Sequence, residues 1–226
     1  AIHTVMYKEN GITFKREYFM SYPDNVMVMR LTSDSKKGKL SRIISLESLH
    51  TDKTITADGH TITMTGYPTP VSGDKRVGDA WKNGLIYAQQ LVVKNKGGKI
   101  SVVDGTKLKV EDADEIIVLM SAATNYVQCM DDSYNYFSQE DPLEKVQATL
   151  HKVADKKYTA LLATHQKDYH SLYDRMRLNL GNLPEAPVAP TDSLLKGMEE
   201  NTNSEQENQY LEMLYFQFGR YLLISS

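Results

Sequence analysis

The spacing of the apolar residues changes once along this chain, and that change divides it. From Thr4 to Asn125, apolar and polar residues alternate in short runs, as in Ile12-Thr-Phe-Lys-Arg-Glu-Tyr-Phe and Val26-Met-Val-Met-Arg-Leu. A period of two puts alternate side chains on opposite faces of a strand, so these runs read as strands. Turn residues separate them. Asp58-Gly59 stands between Thr54-Ile-Thr-Ala and His60-Thr-Ile-Thr-Met, which predicts a type I′ hairpin because that turn needs φ > 0 at its central residues. Asn95-Lys-Gly97-Gly98 and Asp104-Gly105 repeat the punctuation. About nine or ten antiparallel strands at this spacing predict an all-β sandwich or part of one.

Past a polar bridge at Asp131-Asp132 the period becomes helical. Asp141-Pro142-Leu-Glu144 has the form of a helix start, with Asp at the N-cap, Pro at the first position and Glu in the first turn. Leu143, Val146, Leu150 and Val153 then share one face. A second helix runs through Tyr158, Leu161, Leu162, His165, Tyr169 and Leu172. Three prolines within Gly181–Pro190 predict an extended connector. Thr191-Asp-Ser reads as a short turn, and Lys196–Gln209 as a polar, solvated stretch. The last element, Glu205–Ser226, sets Leu211, Leu214, Tyr215, Phe218 and Leu222 on one side and lacks a basic last turn, a Gly cap or a Pro. It reads as a helix cut short or awaiting a partner. The fold class is therefore a β-rich chain with a helical tail: an antiparallel β-sandwich, a partial supersandwich, followed by linker α-helices.

Charge excludes some partners. With 26 Lys and Arg against 29 Asp and Glu, interspersed in sign, the chain has neither the basic stripe of a nucleic-acid binder nor a basic membrane-binding arm. No run reaches the length of a membrane span, and residues 1–10 lack the regions of a signal peptide. The single cysteine, Cys129, allows no internal disulfide and no Cys cluster.

Catalytic templates find no match: there is no Gly-rich phosphate loop, no G-x-S-x-G and no H-E-x-x-H. His165 and His170 are the best metal candidates, but five residues along a helix turns them roughly 140° apart, which favours an interface role over ligation. The acidic run Glu111-Asp-Ala-Asp-Glu115 could hold a cation, although such runs beside strands are usually solvated turns. Asp131-Asp132 reads the same way. His50 and His60 lie in strand or turn text, where hydrogen-bonded structural roles are common. Trp81 is the one substrate-binding candidate. It stands in a loop-like stretch, where a flat aromatic can stack on a sugar ring or pack at a domain contact.

Three stretches carry a family likeness. Phe14-Lys-Arg-Glu-Tyr-Phe-Met-Ser-Tyr-Pro-Asp-Asn-Val-Met-Val-Met-Arg, Ser121-Ala-Ala-Thr-Asn-Tyr126 and Leu214-Tyr-Phe-Gln-Phe-Gly-Arg-Tyr-Leu-Leu-Ile-Ser-Ser226 resemble, in order and spacing, glycoside hydrolase family 95, the exported bacterial α-L-fucosidases. Gly219-Arg220-Tyr221 is the most specific part. The resemblance implies an N-terminal β-sandwich joined by linker helices to an α/α barrel, with residues 1–126 as the later part of the sandwich, 127–204 as the linker and 205–226 as the first, truncated barrel helix. It implies hydrolysis of terminal α-L-fucose, typically 1,2-linked, with inversion, in a periplasmic or extracellular setting with the signal peptide outside this chain. The family's acid and base lie in the barrel beyond Ser226, so no residue here inherits a catalytic role, and no metal or organic cofactor is implied. The implied partners are the rest of the parent chain and, through it, fucosylated glycans; open apolar surfaces predict self-association of the fragment. A stand-alone carbohydrate-binding or adhesive sandwich is the alternative.

Overall fold

A computed structural model of the protein describes residues 1–35, 40–68, 84–128, 130, 136–178, 180 and 189–226. The described residues form ten strands and then four helices, the β-rich sandwich with a helical tail that the change of period predicts. The strands are β1 (His3–Glu9), β2 (Ile12–Ser21), β3 (Val26–Ser33), β4 (Leu40–Ile44), β5 (Lys53–Asp58), β6 (Thr61–Gly66), β7 (Tyr87–Lys96), β8 (Lys99–Val103), β9 (Lys107–Ala113) and β10 (Glu115–Thr124). The helices are α1 (Pro142–Val153), α2 (Tyr158–Tyr173), α3 (Thr191–Glu199) and α4 (Glu205–Ser225). They divide between two compact units, Ile2–His165 and Gln166–Ser226.

In the first unit, a seven-stranded antiparallel sheet has the order β1-β2-β3-β10-β7-β6-β5, and a three-stranded sheet has the order β4-β9-β8. One core fills the space between the two sheets, joining Phe14, Ile62, Leu91, Val93, Ile116 and Val118 to Leu40, Leu108, Val110 and Ala113. Residues of opposite parity on the same large sheet, Phe19, Val26, Val28, Ala88 and Leu119, form a second core with Val146, Leu150 and Val153 of α1 and Tyr158 and Leu161 of α2. The large sheet is thus apolar on both faces. The first two helices are its third layer.

Local chemistry places the turns. Asn10 and Gly11 both have positive φ and join β1 to β2 as a two-residue hairpin, which is the type I′ requirement. At the predicted Asp58-Gly59 turn, Asp58 instead pairs with Thr61, so Gly59 and His60 are central and only Gly59 has positive φ. The hairpin stands, shifted by one residue. Gly97 and Gly98 carry the chain from the large sheet to the small one, and Asp112 and Asp114 return it. The two crossings touch, since Asp114 N donates to Lys96 O (2.7 Å) and any Cβ on Gly98 would run into the backbone of Glu111 and Asp112.

The helix start at Asp141 is as predicted: Pro142 opens α1, and Asp141 Oδ1 accepts from Leu143 N at 2.8 Å. The far end of α1 is held by the sheet, where Lys94 Nζ of β7 donates to Ala154 O (2.6 Å) and Lys156 O (3.1 Å), a cation on the negative end of the helix. In the second unit, Thr191-Asp-Ser opens a nine-residue helix rather than a turn, and its Leu194 packs with Tyr210 and Leu211 of α4. A reciprocal capping box starts α4, with Ser204 N donating to Glu207 Oε2 (2.7 Å) and Glu207 N to Ser204 Oγ (3.3 Å).

Leu161 is 0% exposed in the helix-facing core. Leu161→Ala should cost about 2–5 kcal/mol, as for a buried leucine that leaves a cavity. Urea unfolding followed by a sheet-specific signal checks this: an unchanged midpoint would mean that α2 is not part of the sandwich's cooperative unit.

Candidate functional site

The acidic run at β9–β10 is dispersed by its own strands. Glu111 pairs with Lys109 (2.8 Å) and Lys99 (3.3 Å), and those lysines hold its carboxyl below its ordinary pKa. Glu115 faces another way and accepts from Arg30 Nε at 2.7 Å. The two glutamates of this run serve separate cations rather than one ion.

The histidines divide similarly. His165 is buried and stacks on Phe19 with ring centroids 5.0 Å apart, whereas His170 is exposed and sits 3.1 Å from Asp174 through Nδ1. His50 leans on Tyr87, ring centroids 5.7 Å apart. The backbone carbonyl of His60 accepts from Val93 N at 2.8 Å. Among the described residues no group of three or more His, Cys, Asp or Glu converges as a metal site. No described helix is long and apolar enough to cross a membrane. Trp81, Cys129 and Asp131-Asp132 lie outside the described residues.

A cleft of about 780 Å³ opens where the ends of β5 and β6 meet the start of α1, lined by residues that include Asp52, Lys53, Thr65, Tyr67, Tyr87 and Asp141. Two of its charged groups already serve the backbone. Asp141 caps α1, and Lys53 Nζ donates to Ser48 O (2.6 Å) and His50 O (3.0 Å). The cleft is walled by hydroxyls and aromatic edges, with no free pair of carboxyls flanking a reaction centre as glycoside hydrolysis demands.

Two arginine clusters that sequence reasoning left unresolved are well ordered by their partners. Arg30 of β3 reaches Glu115 on β10 and Glu17 on β2 (3.4 Å) while its guanidinium lies 4.6 Å from the Tyr158 ring centre, tying α2 to the sheet. Tyr158 Oη is buried with no hydrogen-bond partner, and burial, with the nearby Glu17 charge, raises its pKa above the ordinary 10.0. In the second unit, Arg220 of α4 donates to the carbonyl of Tyr173, the last residue of α2, and to Gln217 Oε1 (2.9 Å). Tyr173 Oη donates to the same Gln217 oxygen (3.0 Å), and the Arg220 guanidinium lies 4.4 Å from the Tyr173 ring centre. This satisfies a terminal helix carbonyl, one of the four every helix leaves open. The neighbouring Gly219 does not mediate a close approach here, since a Cβ would meet nothing within 4 Å.

Residues 1–129 match the model of the glycosyl hydrolase family 65 N-terminal domain, and residues 157–226 that of the glycosyl hydrolase family 95 catalytic domain. Over its whole length the chain is 32% identical to "Alpha-L-fucosidase 2" of Arabidopsis thaliana and 29% identical to "Probable alpha-fucosidase A" of Aspergillus niger. Through residues 1–129 the chain belongs to the glycosyl hydrolase family 65 N-terminal domain family, and residues 157–226 are similar to the family 95 catalytic domain. The chain covers 28% and 27% of the lengths of those two relatives. They are plant and fungal, so the family reaches beyond the bacterial enzymes named in the resemblance. A solved structure named for kojibiose phosphorylase, from the human microbiome, superimposes with a TM-score of 0.50 over 76% of this chain and 23% of that one, at 11% identity. At that identity the likeness is one of fold. The segment matched to the family 95 model therefore contains the arginine that closes α2, a structural role for Arg220.

Arg220→Ala should destabilise the Gln166–Ser226 unit by about 1–3 kcal/mol, the cost of stranding a part-buried carbonyl and losing a charge-assisted bond. Amide exchange at the end of α2 measures it. In a full-length enzyme, turnover per folded molecule should be unchanged, and a large fall in kcat at constant Tm would assign Arg220 to the substrate instead.

Tyr158→Phe removes a buried hydroxyl that has no partner, so at neutral pH stability should hold or rise slightly. Because the folded state keeps the Tyr158 proton to higher pH than the unfolded state, the protein loses stability as pH rises above about 10. The Phe variant should lose less over that range. Parallel alkaline unfolding curves for the two proteins would count against this.

Proposed function

We propose that this chain is the non-catalytic N-terminal portion of a glycoside hydrolase that removes terminal, 1,2-linked α-L-fucose from glycans with inversion, and that its part is to build and position the start of the catalytic domain. The observation that carries the reading is the run of similarity to α-fucosidases along the whole chain, ending in a match to the family 95 catalytic domain at residues 157–226. The organisation of the chain supports it. The sheet's second face is covered by α1 and the first half of α2, while the second half of α2 belongs to the unit that also holds α4.

The chemistry is assigned elsewhere in the parent. An inverting glycosidase needs an acid and a base on opposite sides of the scissile bond, with room for one water. Glu111, Glu115 and Glu17 are committed to lysines or arginines, and Asp141 to helix capping. No cofactor enters this reading, because two carboxyls and a water suffice. The setting proposed is periplasmic or extracellular, where fucosylated glycans are met.

The exposed side of α4 fits the same reading. Tyr215 is 81% and Phe218 57% exposed, and Leu222 and Leu223 continue the patch, whereas Leu211 and Leu214 of the same helix pack toward α3. We propose that the remainder of the catalytic domain covers this patch in the parent and that the isolated fragment self-associates through it.

Full-length protein should release fucose from an aryl α-L-fucoside and from a fucosyl-α-1,2-galactoside, with β-L-fucose as the first anomer seen by NMR. Residues 1–226 alone should release none. Activity of the fragment above a mock preparation would overturn the assignment, and retention of glycan affinity by the fragment on an array would favour a binding module.

A further inference from the structure

Among the described residues, several half-buried cations are answered by carboxylates or by the carbonyls that end a helix. Arg30 has Glu115 and Glu17, Lys94 has the end of α1, and Arg220 has the end of α2. Arg16 of β2 and Arg42 of β4 converge on one phenol: Arg16 Nη2 donates to Tyr7 Oη at 3.1 Å and Arg42 Nη2 to the same oxygen at 3.4 Å, while Arg42 Nη1 also donates to Ser41 O at 2.8 Å and Tyr18 is a second phenol beside Arg16. No ion pair among the described residues includes either arginine. Arg16 Nε is buried and has no hydrogen-bond partner.

The position explains how two like charges come together. Tyr7 faces Phe14 in the β1–β2 register and Val5 faces Arg16, so Tyr7, Phe14 and Arg16 share the inner face of the large sheet. There the small sheet ends at its edge strand β4, and Arg42 reaches across from it. Aromatic rings hold both guanidiniums in place, with Arg16 5.1 Å from the Tyr7 ring centre, Arg42 5.3 Å from that of Phe14, and the two rings stacked at 5.3 Å. Burial acts to raise the Tyr7 pKa, but the hydrogen bonds and charges of the two arginines outweigh it and hold the phenol below its ordinary value. A tyrosine oxygen shared by two cations is electron-poor and is a weak substitute for an anion.

We propose that Arg16 and Arg42, bridged by Tyr7 Oη, form a receptor for one carboxylate or comparable oxyanion at the open edge of the sandwich. Planar guanidiniums fixed by stacking present paired N–H donors that match two oxygens of such a group, and preorganisation removes much of the rotamer cost of binding it. The carboxylate can arrive as a free acidic ligand or as an Asp or Glu side chain of polypeptide outside these residues. The chemistry of the receptor is the same for both.

Sulfate and acetate titrations of the 226-residue chain, at constant ionic strength set by chloride, read the site through the Arg side-chain N–H resonances. Saturable shifts are expected for the wild type. Affinity should be about tenfold weaker in Arg42→Gln, from loss of one charge-assisted pair. Arg16→Lys, which keeps the charge but not the fork, should also weaken binding, and Tyr7→Phe tests the bridge while keeping the stacked ring. Equal titrations in the wild type and all three variants would overturn the proposal, leaving adventitious ion binding only. The same titration on full-length protein separates the sources: a free-ligand site stays open to sulfate, whereas a site filled by a side chain no longer responds and regains the response when that acidic residue is changed to its amide.

Discussion

The structure depends on a sheet that cannot be left uncovered on either side. In β3, β7 and β10 both parities are apolar: Val26, Val28, Ala88 and Leu119 point one way, and Leu91, Val93, Ile116 and Val118 the other. A sheet with one solvated face needs only one apolar set, so this pattern demands two covering layers. The three-stranded sheet supplies one and the first two helices the other. At about 25 cal/mol per Å² of apolar surface, stripping the helical layer from such a sheet is costly enough that α1 and α2 belong to the sandwich's stability rather than to a free linker.

Once the layers are fixed, the polar groups follow from them. Lys94 stands on the helix-facing side of β7 and meets the carbonyls that end α1. Asp24, whose side chain is only 4% exposed, is answered by Lys156 at 2.6 Å and by Ser21 Oγ at 2.7 Å. Arg30 ties three strands to Tyr158 at the start of α2. A charge taken from water without a partner is expensive, so each interlayer contact carries its own counter-charge. Arg16 and Arg42, beside the edge strand β4, are in no ion pair among the described residues.

Residues that carry the family likeness serve packing and helix closure here. The Gly219-Arg220-Tyr221 segment lies within the family 95 match, and its arginine closes a helix end.

Local rules made part of this legible from the amino-acid order. Alternation gave ten strands their place between Thr4 and Asn125, and the N-cap at Asp141 and the start of α4 at Glu205 follow from short-range chemistry in which a side chain bonds a backbone group two or three residues away. The nine residues at Thr191 were misread as a turn because the signal for that helix is Leu194 packing on Tyr210 and Leu211, which are distant in sequence. The same limit applies to the pairing of β10 between β3 and β7, to the second face of the large sheet, and to the partners of Arg16, Arg30 and Arg220. Periodicity states that a strand has apolar sides but not what covers them, because burial depends on which distant segments meet. By itself the sequence determined the strands, most of the helices and their order; the tertiary structure alone decided that α1 and the start of α2 are a layer of the sandwich and which partners the described cations meet, because both depend on segments distant in sequence.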